Sequence, residues 1–439
     1  MPQQGGSGGD DPVLIRLLIA DERGRISVEE DLACAGRTGD ILVEVQPDDV
    51  MPVPSGATLM FLPGREAIGI DVRSGDFVPA GRGLNAVSAI LPQGYTRTLL
   101  PAYRPPTGGK RDGILPLFGY TMVGMGDDGL VVAAVRTDED FKWNPENYNT
   151  RDLPARVAAA LEGRPTNRIL VQLSKCALEY GCFTAQNIFY RRWEGGIPVA
   201  TTCNAMCLGC ISKQPSECCP APQERIRFTP SVSEIVEVAL PHLEEAEDAI
   251  ISFGQGCEGE PLTRSELLAG AIRSLRKATG RGTININTNA GDTRGFKALC
   301  EAGLDSARVS LISARPEVYN AYHRPRGYSL EDVIASLRVA KDYGVFTSVN
   351  LLVFPGLTDS KEEFQALSEL IEASRLDMIQ LRNLNIDPEF FMGVLRKSTG
   401  ILRRSGGGSE AIGIVNFIEA LKSSFPRLKI GNYSRPVGR

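Results

Sequence analysis

The chain has 439 residues, enough for two or three domains, with an ordinary 42% hydrophobic and 23% charged composition and a formal net charge of −5. That balance excludes a broadly basic nucleic-acid-binding surface, although an RNA held by a local patch is not excluded. No apolar run approaches the ~20 residues that cross a bilayer, and residues 1–11 lack the charged-then-apolar order of a signal peptide; the expectation is a cytoplasmic, reducing location with no membrane partner.

In chain order, residues 1–11 read as a flexible leader. Residues 12–165 form an accessory, strand-rich β or α+β domain, with short apolar runs at Ile41–Val45, Thr58–Leu62, Ala67–Asp71 and Leu130–Val135 between Gly, Pro and Asp clusters. Residues 104–112 read as an exposed loop; their Gly-Gly-Lys-Arg lacks the fixed spacing of a phosphate-binding loop. Residues 166–196 are a connecting segment that carries Cys176 and Cys182.

From 197 to 390 strand-like and helix-like segments alternate. The expected strands are Ile197–Thr202, Ala249–Phe253, Thr283–Asn287, Ala307–Ile312, Phe346–Phe354 and Met378–Leu384. Helices are expected from Ser231 with a capping-box pattern, from Ser329 opening with Ser329-Leu-Glu-Asp332, over 264–278 and 293–302, and from Ser360 with Glu363 at the box position. Such alternation predicts parallel strands with helical crossovers, and six units give an α/β partial, three-quarter βα barrel. Chemistry in such barrels sits at the carboxyl ends of the strands. Residues 391–439 form a C-terminal extension with a flexible-looking loop at 403–409, a helix over Ile412–Leu421, a short strand at 428–430 and a basic tail ending at Arg439.

The strongest chemical signal is Cys203-Asn-Ala-Met-Cys207-Leu-Gly-Cys210, a C-x3-C-x2-C run directly after the first expected strand. Three thiolates on one tight loop suit a 4Fe–4S cubane, which takes one thiolate per iron and would keep its fourth iron open to a small molecule. The rival is a zinc site completed by Cys218-Cys219, which would make a non-enzymatic structural or redox protein. Disulfides do not fit a reducing compartment.

Other residues gather at the same ends. Strand two runs into Cys257-Glu-Gly259-Glu260-Pro261; there glycine admits close backbone approach and a carboxylate suits a cationic amine. Strand three ends in Asn285, Asn287, Thr288 and Asn289; amides here bond a ligand or, equally for Asn289, close an Asx turn. Strand four carries Arg308-Val-Ser310, strand five Ser348-Val-Asn350, and strand six Gln380, Arg382, Asn383 and Asn385. Alternation turns either Gln380 and Arg382 or Asn383 and Asn385 inward, which points to a polar or anionic substrate.

The cysteine spacing, Gly-Glu-Pro, Arg-x-Ser and the βα order together resemble the radical S-adenosylmethionine (SAM) enzymes, over residues 195–390. The resemblance implies that the open iron binds the amino and carboxylate groups of SAM and that an electron, supplied by a flavodoxin- or ferredoxin-like donor, cleaves it to a 5′-deoxyadenosyl radical. It implies SAM contacts at Gly259, Glu260, Pro261, Asn287, Arg308, Ser310 and Asn350, and hydrogen abstraction from a small-molecule or peptide substrate; RNA modification and methyl or sulfur transfer are alternatives. One departure is Gly209, where the family often has an aromatic residue. A second Fe–S cluster from Cys176, Cys182, Cys218 and Cys219, and a hydrogen-donating catalytic thiol at Cys257, are further expectations. His242 reads as structural, and His323 lies in a segment read either as a substrate lid or as a connection.

Overall fold

The chain runs strand after strand in its first third and alternates strand with helix after it. A computed structural model describes residues 14–105, 113–139, 141–400 and 411–437. The expected leader, residues 106–112 of the expected loop, the 403–409 loop and Arg439 lie outside the described residues. The chain divides into two compact units: 1–91, 97–109 and 120–135 in one, and 92–96, 110–119 and 136–439 in the other.

The first unit is an antiparallel sheet. Arg16–Ala20 pairs with Ile26–Thr38, Asn85–Ile90 and Tyr120–Gly126, and Thr58–Asp71 pairs with Ile26–Thr38 and Asn85–Ile90. One face buries Leu18, Ala20, Val87, Ala89, Val123 and Val132. The strands expected at Thr58–Leu62 and Ala67–Asp71 are a single strand; its register breaks between Phe61 and Glu66, around Gly64 at φ +70. Pro63-Gly64 thus makes a bulge rather than a chain reversal.

The second unit carries a parallel sheet whose strands run in sequence order: β1 (Arg192–Gly196), β2 (Glu247–Phe253), β3 (Thr283–Thr288), β4 (Ser306–Leu311), β5 (Phe346–Val353), β6 (Met378–Asn383) and β7 (Lys429–Gly431). Its helices are α1 (Leu153–Gly163), α2 (Arg168–Leu178), α3 (Phe183–Tyr190), α4 (Val232–Glu245), α5 (Ser265–Ala278), α6 (Thr293–Ala302), α7 (Pro316–His323), α8 (Leu330–Asp342), α9 (Lys361–Ser374), α10 (Pro388–Ser398) and α11 (Ile414–Ser424). The architecture is the expected partial βα barrel, with β7 as an addition from the C-terminal extension. None of the described helices is long and apolar enough to cross a membrane.

Two expectations need correction. The first strand is Arg192–Gly196, not Ile197–Thr202. The apolar stretch is buried, but the amides of Val199 and Ala200 go to the Glu258 carboxylate at 2.7 and 2.8 Å, so a side chain takes the place of a neighbouring strand. The expected accessory boundary at 165 also shifts, because 136–165 belongs to the barrel unit. The cause is aromatic packing: Trp143 and Tyr148 are buried with Trp193 of β1 and Tyr433, against Phe183 and Tyr190 of α3.

Alternate barrel residues divide cleanly. Ile284, Ile286, Val309, Leu311, Val349 and Leu351 are buried and apolar. The intervening set is polar and forms the inner face: Glu194 on β1, Ser252 on β2, Asn285 and Asn287 on β3, Arg308 and Ser310 on β4, Asn350 on β5, and Gln380 and Arg382 on β6.

Candidate active site at the carboxyl ends of the barrel strands

The cysteine loop follows β1 and lies against the end of α7. Met206 N–H donates to the His323 carbonyl at 3.1 Å and Leu208 N–H to the Tyr322 carbonyl at 3.0 Å, so Cys207 sits between two backbone bonds. Gly209 takes φ +65, and a Cβ there would meet the Tyr322 hydroxyl at 2.9 Å. An aromatic residue does stand beside this position, supplied by α7 instead of by the loop.

Cys203, Cys207 and Cys210 are free and half-buried. Burial, then the neighbouring Cys203 and Cys210, push the Cys207 thiol well above its ordinary value; burial and the Glu260 charge raise Cys203. Ionising Cys203 and Cys207 together is unfavourable unless a cationic group joins them. Among the described residues, no three or more His, Cys, Asp or Glu side chains are drawn together tightly enough to hold a single metal ion. The loop offers separate thiols on one turn, the donor set that fits a cubane with one thiolate per iron.

The Gly-Glu-Pro loop is stitched to the segment that leads into Cys203. Gly259 N–H donates to the Ala200 carbonyl at 2.8 Å and Glu260 N–H to the Thr202 carbonyl at 2.8 Å. A Cβ on Gly259 would stand 2.0 Å from the Thr202 carbonyl oxygen, so only glycine fits. Pro261 opens a short 3-10 turn, Pro261–Arg264, which Glu260 caps by accepting from Leu262 N–H at 3.0 Å. The same carboxylate accepts from Asn289 N–H at 2.8 Å and from the Thr288 hydroxyl, which binds the loop to the end of β3. Burial raises Glu260 to about 7. It uses three of its roughly four acceptor positions, which leaves one for a cationic donor.

Sequence reasoning missed the glutamate two positions earlier. Buried Glu258 accepts from Val199 and Ala200 and, with its other oxygen, from Gly254 and Gln255 at 2.6 and 3.0 Å. It is the clamp that fixes the β2 loop on the approach to the cysteines, and a second acidic residue among three glycines was its signal. Asn289 does close an Asx turn, accepting from Gly291 N–H at 2.9 Å, and its amide also donates to Asn204 in the cysteine loop at 2.7 Å.

Arg308 is more committed than the sequence implies. Its guanidinium pairs with Glu194 at 3.5 Å and donates to Gln380 at 3.3 Å and Ser434 at 3.1 Å. Glu194, also unforeseen, accepts from Ser252 at 2.6 Å, and Ser252 accepts from the Asn285 amide at 3.0 Å. Asn287 accepts from Asn285 at 3.0 Å. One rung above Arg308, half-buried Ser310 pairs with Asn350, whose buried Oδ1 has no partner among the described residues. Of the strand-six candidates, Gln380 and Arg382 share the face of Arg308. Burial and the like charge of Arg308 lower Arg382 to about 10, and it donates to Gln93 at 3.0 Å. Asn383 instead donates to the Tyr95 carbonyl at 2.9 Å, and Asn385 is exposed beyond the strand.

The four cysteines expected to hold a second cluster are two on the segment around α2 and α3 and two after the cysteine loop. Cys176, on α2, accepts from Gln172 at 3.3 Å, and half-buried Cys182 lies against Thr184 at 3.3 Å. Cys218 and Cys219 face each other at 3.6 Å. Cys257 is 5% exposed. His242 is buried with Nε2 on the Trp193 carbonyl at 2.7 Å, the structural place expected of it.

The sequence model of the Radical SAM superfamily matches residues 197–370. The GTP 3′,8-cyclase of Streptomyces coelicolor is 26% identical over 167 residues, 38% of this chain and 46% of that protein. The GTP 3′,8-cyclase of Limosilactobacillus fermentum is 30% identical over 150 residues, 33% of this chain and 40% of that protein. The chain thus spans less than half the length of either curated relative. Among solved structures, methylornithine synthase (PylB) aligns with a TM-score of 0.36 at 16% identity, covering 65% of this chain and 76% of that one. Streptococcus suis SuiB bound to precursor peptide SuiA aligns with a TM-score of 0.36 at 12% identity, covering 57% and 53%. Residues 197–370 of this chain thus carry a domain of the radical SAM superfamily, whose enzymes work with a 4Fe–4S cluster and S-adenosylmethionine.

Proposed function

We propose that the chain holds its cluster on Cys203, Cys207 and Cys210, takes one electron from a flavodoxin- or ferredoxin-like donor, and uses the resulting SAM-derived 5′-deoxyadenosyl radical to abstract hydrogen from a polar or anionic small molecule or peptide in the cytoplasm. The observation that carries the reading is the backbone pairing of Gly259 and Glu260 with residues 200–202, which sets a buried carboxylate with a spare acceptor position beside the cysteine loop. Ser310, Asn287 and the unpartnered Oδ1 of Asn350 would bond SAM from the strand ends. Arg308 sits one rung deeper, where with Arg382 it faces the substrate side and favours an anion. The reading leaves Cys257 out of the reaction, because its thiol is 5% exposed.

Anaerobic reconstitution tests this. We expect a brown protein with roughly four irons per chain, release of 5′-deoxyadenosine on reduction with SAM, and loss of both in the Cys203, Cys207 and Cys210 triple alanine variant. A colourless zinc protein that leaves SAM intact would refute it. GTP, named in both curated relatives, is the first substrate to offer, since its phosphates suit the two arginines.

A further inference from the structure

The chain has only two histidines. His242 is anchored to the Trp193 carbonyl, whereas His323 lies at the cysteine loop. His323 ends α7 and is 1% exposed, with its ring between Tyr319 and Tyr322 at centroid distances of 4.5 and 4.9 Å. The two backbone bonds that flank Cys207 fix its register, and they bring Nδ1 to 3.4 Å from the Cys207 sulfur. Nε2 is buried without a partner among the described residues. A sulfur that has given up its proton to bind iron can only accept, so Nδ1 must carry the hydrogen, and Nε2 is then the bare nitrogen. This tautomer leaves no buried N–H unpaired.

A second donor serves the third cysteine. Arg225 reaches the Cys210 sulfur with Nη2 at 3.8 Å while its Nε donates to Ser212 at 3.2 Å; Ser212 in turn donates to the Glu258 carbonyl at 3.0 Å. The guanidinium is thereby aimed by the same clamp that fixes the β2 loop.

We infer that His323 and Arg225 are positioning residues for the cluster, donating hydrogen bonds to the sulfurs of Cys207 and Cys210 and thereby raising its reduction potential. The step concerned is the uptake of one electron from the external donor; no bond is made or broken, and both hydrogens stay on nitrogen. Reduction adds negative charge to the sulfurs, so each donor holds the reduced form more tightly than the oxidised one. The inference rests on the cluster being bound by the cysteine loop.

The test is a dye-mediated potential titration of the reconstituted full chain, followed by EPR of the reduced cluster. We expect His323→Phe and Arg225→Met each to shift the reduction equilibrium about tenfold toward the oxidised form, which is ~59 mV for one electron. His323→Gln, which restores an N–H donor, should recover most of its share. Because the buried ring position could compromise folding, wild-type protein labelled with [15N]histidine supplies an independent reading: pulsed EPR of the reduced cluster should detect one nitrogen coupling. A reduction equilibrium of the variants within about twofold of wild type, or no coupling in the labelled protein, would overturn the inference. Wild-type protein that takes up no iron would overturn the cluster reading as well, and iron content separates the two failures.

Discussion

At the scale of single residues, the site is built from positions where one atom more does not fit. Gly259 is the sharpest. A methyl group there would press on the Thr202 carbonyl, which is backbone and cannot rotate away. Gly259→Ala should therefore cost about 1–3 kcal/mol in chemical denaturation and should lower the iron retained after reconstitution, because the displaced segment leads directly into Cys203. Unchanged stability and full iron content would show that the loop can yield. The sequence made Gly259, Glu260 and the cysteines legible because they are close together in the chain. Glu194 was not legible: its partner Arg308 lies 114 residues away, and a lone glutamate in Trp-Glu-Gly-Gly carries no local sign of an inward-facing ion pair. His323 was hidden for the same reason, standing 116 residues from Cys207.

At the scale of elements, helix starts were read well because caps are local. Ser231 and Glu234 form the capping box of α4, and Asp332 accepts from Ser329 N–H at 2.8 Å to open α8. Ser360 shows where such a pattern misleads. Its hydroxyl caps Glu363 N–H at 3.2 Å, but the Glu363 carboxylate turns inward and accepts from Ala314 N–H at 2.7 Å and from Ser313, tying α9 to the loop after β4. Burial raises this carboxyl from 4.5 to about 7, so the folded state holds its proton more tightly than the unfolded chain. Its contribution is complete below about pH 4.5 and is lost as the pH rises through 7. The advantage in melting temperature of the wild type over Glu363→Gln should accordingly be larger at pH 5 than at pH 8; the reverse order would contradict the burial argument. Glycine in the middle of a helix makes a different case. Gly270 in α5 has nothing nearer to its would-be Cβ than Val232 at 3.6 Å, so Gly270→Ala should stabilise the protein by about 0.5–1 kcal/mol, measurable as a rise in denaturation midpoint.

At the scale of the whole molecule, the parallel order was legible from strand–helix alternation, and the polar inner face from period-two spacing. Two edges were not. β1 is five residues with two glycines, and the apolar stretch after it looks more like a strand than it does. Its glycines are there for packing: a Cβ on Gly195 would strike Ile188 of α3 at 2.3 Å. β7 is three residues long and follows β6 only after α10 and α11, so nothing in the repeat pattern announced it as a barrel strand.

The partners of Arg308 carry a consequence for inheritance. Glu194, Gln380 and Ser434 all fall outside residues 197–370, the span by which the family is recognised. The segment that bears the family signature thus contains a largely buried guanidinium whose described side-chain partners are all supplied by the flanks. Such a segment is not a transplantable module. Grafted alone onto another protein it would carry an unpaired internal charge, so the recognisable centre and its unrecognisable flanks have to change together.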